Sequence, residues 1–186
     1  MIQSHDRSGW FGASDVEKIV GKWGSPSWTD WWMEKLAIRR NNFTTDAMQA
    51  GTYWEHRILE SLDIPDMEFD KQILLPDLRL RVNLDGNTKN AIYECKTHQA
   101  DKPFKVPSRY VHQVNVQMFA TGIREAYIVA YGFVPEDMAN YFRPIEKSRR
   151  ELICVQYDDV WVSTKFLPRL YVLRDCLVKG VLPSGV

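Results

Sequence analysis

Two short apolar-alternating runs, Leu78–Leu84 and Ala91–Lys96, lie six residues apart and constrain this chain more than any other feature. Leu and Val alternate with Arg and Asn, then Ile with Tyr and Cys, which is the period of a strand and not of a helix. Asp85-Gly86-Asn87 between the runs predicts a turn, so the pair reads as a hairpin. Strand side chains have period two, which puts Glu94 and Lys96 on one face and turns Cys95 away. Asp85 falls where the first strand is predicted to run out. Two carboxylates and an amine are thereby expected at one sheet edge.

That trio suits hydrolysis of a phosphodiester. Water must reach an anionic phosphorus while an alkoxide departs. Hard carboxylate oxygens hold Mg²⁺, and the cation neutralises charge building on the phosphoryl oxygens. An ammonium beside it orients the attacking water and adds positive charge. On this reading Asp85 and Glu94 are the metal ligands, the Cys95 backbone carbonyl is a further candidate ligand, and Lys96 is the amine. The pattern also fits an exposed strand with a charged face, since Glu-x-Lys arises by chance in roughly every other chain of this size.

At 186 residues and 21.7 kDa the chain is expected to form a single domain. Residues 1–62 read as N-terminal helices, 71–157 as a sheet core and 158–180 as a C-terminal helix. A hydrophobic content of 45% with 26% charge is ordinary for a soluble globular protein. No apolar run approaches the ~20 residues of a bilayer span and no signal-peptide pattern opens the chain, so cytoplasm is the expected location and no membrane partner is expected. Net charge is zero, yet the stretch from Arg79 to Arg124 is locally basic, with Asp85, Glu94 and Asp101 as its only acids. A positive cleft for phosphate and a solvated basic face are both consistent with that. Cys95, Cys154 and Cys176 form no Cys-x-x-Cys pair, which argues against a zinc ribbon, an iron–sulfur cluster and a disulfide framework.

Along the chain, Ser14-Asp-Val-Glu17 has the form of a capping box for a short helix ending at Gly21. A second helix is predicted from Ser27 through Trp28, Trp31, Trp32 and Leu36 to Arg39-Arg40. A third, capped by Thr44 or Thr45, runs to Leu62 with Ala47, Met48, Gly51, Trp54, Ile58 and Leu62 in one stripe. Glu55 sits on or beside that buried stripe, where a carboxylate is costly unless paired or near a metal. Lys71–Leu75 is a predicted strand. Thr97–Pro107, with Lys102, Pro103, Lys105 and Pro107, reads as a stiff basic loop that is neither helix nor inner strand. Ser108–Gly122 is helical and carries Gln113 and Gln117 one turn apart. Two strands, Ala126–Tyr131 and Glu151–Tyr157, precede a last helix capped by Asp158 or Asp159, reaching Gly180 and kinked at Pro168. The order predicts a mixed α/β fold. The tryptophans, concentrated before residue 55, read as core aromatics and not as base-stacking platforms.

Several of these pieces together resemble the PD-(D/E)xK nuclease superfamily, a restriction-endonuclease-like core, and within it the YqaJ-like viral recombinase group that includes lambda-type phage exonucleases. The resemblance spans about residues 7 to 180 and rests on short motifs. Arg7-Ser-Gly-Trp-Phe-Gly-Ala-Ser14 resembles the segment whose Arg and Ser hold a DNA 5′-phosphate. Gly51-Thr-Tyr-Trp-Glu55 resembles the Gly-x-x-x-Glu helix motif, and Asp85-Gly86 with Glu94-Cys95-Lys96 resembles the catalytic strand pair. Gln113-Val-Asn115-Val-Gln117 stands where lambda-type members show Gln-x-Gln. The resemblance implies a Mg²⁺- or Mn²⁺-dependent 5′→3′ exonuclease on the ends of double-stranded DNA, in a phage or prophage recombination setting. It implies metal binding at Asp85, Glu94 and the Cys95 carbonyl, with Lys96, Glu55 and Gln113 supporting catalysis. Arg7 and Ser14 are expected at the 5′-phosphate, and Lys102, Lys105, Arg109 and Gln117 along the DNA backbone. A single-strand annealing protein and a ring-shaped homotrimer are the implied partners. An endonuclease or RecB-like processing enzyme, and a non-catalytic binding module on the same scaffold, remain alternatives.

Overall fold

The computed structural model describes residues 7–39 and 46–183, and of residues 46–52 the backbone alone. After a 3₁₀ turn at Ala13–Asp15, the helices α1 (Val16–Val20), α2 (Pro26–Lys35) and α3 (Asp46–Glu60) lead into the strands β1 (Glu68–Leu75), β2 (Leu80–Asn87) and β3 (Ala91–Gln99). Helix α4 (Ser108–Thr121) connects β3 to β4 (Glu125–Phe133); α5 (Pro135–Ala139), β5 (Arg150–Val155), α6 (Asp159–Trp161) and α7 (Leu167–Lys179) complete the order. The five strands form one sheet in the order β1-β2-β3-β4-β5, antiparallel except for the β3–β4 pair. A parallel pair needs a crossover element, and α4 supplies it. The fold is mixed α/β.

Alternation along the strands builds two apolar layers. Ile92, Ala126 and Ile128 join Trp28, Trp32, Val114 and Leu170 on one side of the sheet. Ala91, Tyr93, Cys95, Val129 and Tyr131 join Trp54, Ile58 and Leu59 on the other. Helix α4 therefore covers one face and α3 the opposite one. On α2, Trp28 stacks on Trp32 and Trp32 on Phe11, with Trp31 tilted against all three, and Trp23, Trp28, Trp31, Trp32 and Trp54 are all buried, as core aromatics.

Several local expectations shift. The N-terminal turn is capped two residues earlier than the Ser14/Glu17 pattern suggests. Asp15 Oδ2 accepts from the Gly12 N–H at 2.7 Å, while Ser14 is exposed. Helix α2 starts at Pro26 with Ser25 accepting from the Trp28 N–H, since proline suits a first helical turn. The expected caps Thr44 and Thr45 lie outside the described residues. Asp85-Gly86 is not the hairpin turn but the interior of β2, and residues 88–90 make the connection. Gly86 lets two flexible side chains approach the strand closely: a Cβ there would meet Leu59 Cδ1 at 3.0 Å and Met67 Sδ at 3.1 Å. Thr97, His98 and Gln99 belong to β3, paired with Tyr131, Gly132 and Phe133, so the loop begins later than expected. Cys154 is exposed, whereas Cys95 is buried. The C-terminal helix opens with Asp158 capping Trp161 and carries a π turn at Val162–Phe166 just before Pro168, whose missing N–H removes a helical bond.

Candidate active site

The strands β2 and β3 pair only at Gly86↔Tyr93 and Asn87↔Ile92. Beyond that point their ladder ends and the strands part. There the Asp85 carboxylate takes over, and its Oδ2 accepts the Cys95 backbone N–H at 2.9 Å. Glu94 follows Ile92 on the α4 face, with Lys96 two residues on, while Cys95 packs into the α3-side layer. Glu94 is almost completely buried.

Three donors surround its carboxylate. Lys96 Nζ and Gln113 Nε2 each donate to Oε1 at 2.5 Å. Gln117 Nε2 donates to Oε2 and also reaches the Asn83 carbonyl at 3.4 Å. Gln117 has no exposed surface, so the expectation that it runs along a DNA backbone is corrected. One helical turn separates the two glutamines, which puts both amides on the face of α4 that meets β3. Asn115 lies elsewhere on the helix. It donates to the Val111 carbonyl at 3.0 Å and accepts from the Asp158 N–H at 2.6 Å, pinning the segment after β5.

From the other face α3 brings Glu55 into the same electrostatic set. Burial and then the Glu94 charge push its carboxyl up to about 7. Burial, Glu94 and Glu55 likewise raise Asp85 well above the usual carboxylate range. Burial alone would lower Lys96, but the charges of Glu94 and Asp85 outweigh it and hold the ammonium above its ordinary value. Three carboxylates facing one ammonium are mutually repulsive as a set. Buried like charges of this kind need either protons or a cation, and all-oxygen donors fit a hard divalent ion.

Two residues not singled out by sequence adjoin Glu55. Its carboxylate, His56 and Asp70 each offer a ligand atom within 4.8 Å of the others, and His56 Nε2 lies 3.1 Å from Asp70 Oδ2. Asp70 stands in β1 with φ +55°, a left-handed conformation that only short polar side chains and glycine adopt readily. Adjacency to Glu55 was the available signal for His56; for Asp70 there was none, because its place depends on the β1–β2 register. The remaining predicted residues are at the surface. Arg7 and Ser14 are exposed at the N-terminal turn, and Lys102, Lys105 and Arg109 are exposed on the loop and the start of α4.

Comparison with known proteins agrees with this architecture. The family model for the YqaJ-like viral recombinase domain matches residues 4–124. The fold is similar to that of an alkaline exonuclease from Laribacter hongkongensis. The TM-score is 0.70 at 19% identity, covering 93% of this chain and 90% of that one. The same enzyme in complex with dAMP gives 0.69 at 20% identity over 93% and 90% of the two chains. A phage-related exonuclease from Haemophilus somnus 129PT gives 0.67 at 13% identity, covering 91% and 94%. At such identities the likeness is one of fold. No curated protein matches the chain.

Proposed function

Because the chain belongs to the YqaJ-like viral recombinase domain family, we propose that it is a metal-dependent exodeoxyribonuclease acting 5′→3′ on linear double-stranded DNA. The whole chain serves as one nuclease domain in phage-type recombination. The observation that carries this reading is the gathering of Asp85, Glu94, Glu55 and Lys96 where β2 and β3 part. Asp85 and Glu94, with the Cys95 carbonyl, are the residues to hold Mg²⁺ or Mn²⁺, and Glu55 completes the acidic set. The bound cation supplies positive charge against the phosphoryl oxygens and the departing oxygen.

This chain's own groups do the rest. As an ammonium, the ordinary form of lysine at neutral pH, Lys96 orients the attacking water and donates hydrogen bonds to the phosphate. Gln113 and Gln117 keep the Glu94 carboxylate in one orientation, which spares the site reorganisation during reaction. Arg7 and Ser14 would read the 5′-phosphate. Lys102, Lys105 and Arg109 would follow the DNA backbone by charge alone, without sequence preference. A ring-shaped homotrimer and a single-strand annealing partner fit the same setting.

The decisive experiment compares product release from 5′-labelled linear duplex, 3′-labelled linear duplex and a covalently closed circle, with Mg²⁺ or with EDTA. Mononucleotides released from the 5′ end with Mg²⁺ alone are expected. Nicking of the circle would point to an endonuclease, and tight DNA binding without turnover would overturn the enzymatic reading.

A further inference from the structure

Tyr110 stands in the first turn of α4, its N–H donating to the Pro107 carbonyl at 2.9 Å. Lys96 Nζ lies over its ring, 4.9 Å from the centroid. We propose that Tyr110 is a positioning residue that holds the Lys96 ammonium against Glu94 through the face of its aromatic ring. The inference rests on the function proposed above, in which Lys96 orients the attacking water.

A lysine needs such a contact. Its four-carbon stem is flexible, and a single bond to Glu94 Oε1 fixes the ammonium in one direction only. That oxygen is also shared with Gln113. The negative face of an aromatic ring attracts a cation within about 6 Å, most strongly where water is scarce. Scarcity holds here, since the Lys96 side chain is only 18% exposed.

The ring is itself braced. Phe104 lies nearly parallel to it, with centroids 6.4 Å apart and an interplanar angle of 13°. His98, near the end of β3, packs on Phe104 at 4.9 Å. The Arg109 guanidinium sits 4.8 Å from the Tyr110 centroid, and its Nη2 donates to Tyr110 Oη at 3.4 Å. Pro103 and Pro107 restrict the segment that carries Phe104. A row of three rings thus runs from β3 through the loop to the ammonium. Its end point is Lys96, and that makes the row more than general packing.

A merely apolar role for the ring would be met by any side chain of similar bulk. Tyr110→Phe keeps the ring face, whereas Tyr110→Leu keeps apolar volume and loses it. Lys96 side-chain protons in the metal-free protein, assigned by their loss in Lys96→Met, should show an upfield ring-current shift. That shift should persist in Tyr110→Phe and vanish in Tyr110→Leu. On linear duplex with Mg²⁺, Tyr110→Leu should lower kcat by about ten-fold with KM within about two-fold, and Tyr110→Phe should stay within about two-fold of the parent. Unchanged kcat in Tyr110→Leu, a rise in KM alone, or a Lys96 signal indifferent to the ring would overturn the proposal. Tyr110→Met takes the place of Tyr110→Leu if the latter does not fold. Absence of nuclease activity in the parent protein would instead count against the proposed function, while the proton shift still decides the contact.

Discussion

Gln117 and Glu94 are joined so that the buried amide of one occupies the single carboxylate oxygen that Lys96 and Gln113 leave open. Lys96 and Gln113 both take Oε1; Gln117 takes Oε2. The two glutamines, one turn apart on α4, grip the carboxylate from the helix side while β3 presents it from the sheet.

This division makes Gln117→Leu informative. Leucine fills similar space, and the substitution also removes the glutamine Oε1, which has no partner among the described residues. The substitution strands the Oε2 of a buried carboxylate at a cost of about 1–3 kcal/mol, while Oε1 keeps both of its donors. A fall in kcat of about ten-fold is expected, with a melting temperature within a few degrees of the parent. Turnover assays beside thermal melts test this, and a variant with full kcat would show that the second amide is dispensable.

Lys96→Met should reduce turnover by at least about a hundred-fold while leaving duplex binding largely intact, because an oriented donor to the reacting groups is lost. The side chain lies at the parting of the strands and is not part of either apolar layer, so circular dichroism should show a folded protein. Cleavage at the parental rate would remove Lys96 from the mechanism.

The acidic set predicts an unusual pH dependence. Glu55 is raised from 4.5 to about 7 in the folded state, with Asp85 moved in the same direction. Between pH 4.5 and 7 the unfolded chain gives up the Glu55 proton while the folded chain keeps it. Stability therefore falls as pH rises through that window and levels off above it. In EDTA the protein should melt at a higher temperature at pH 5 than at pH 8, and Glu55→Gln should flatten the difference. Mg²⁺ should stabilise more at pH 8 than at pH 5, since deprotonated carboxylates bind it and protonated ones do not.

Asp15 behaves oppositely. Burial would raise its carboxyl, but the Lys35 ammonium 2.6 Å away outweighs burial and holds it below the ordinary value. Its contribution is present above pH ~3.9 and is lost as pH falls through the folded-state value. Asp15→Asn strands the Lys35 ammonium, whose side chain is 2% exposed. The substitution also weakens the acceptor for Trp31 Nε1 and the Gly12 N–H. A loss of about 3 kcal/mol in urea unfolding is expected, followed through the tryptophan fluorescence of the neighbouring α2 cluster.

The α/β order, the strand pair carrying Asp85, Glu94 and Lys96, and the extent of α4 were legible along the chain, because alternation and helical period are local properties. Even the opposition of Cys95 to its neighbours follows from the strand period alone. The N-terminal cap was misread because Gly12-x-x-Asp15 and Ser14-x-x-Glu17 are rival local patterns. Lys35, Trp31 and Gly12 decide between them by converging on Asp15. Asp85-Gly86 looked like a turn for a similar reason: Asp-Gly favours turns, but pairing with Phe69 of β1 and Tyr93 of β3 keeps Gly86 inside β2.

What the amino-acid order determined by itself is which side chains share a strand face or a helix face, since those spacings are set by backbone geometry. Only the tertiary structure decided that β2 and β3 part after Gly86↔Tyr93. The same holds for the covering of opposite sheet faces by α3 and α4, and for the burial of Gln117 against Glu94 instead of its exposure to solvent. Those outcomes depend on packing between elements far apart in the chain, where burial and charge, and not local period, select the arrangement.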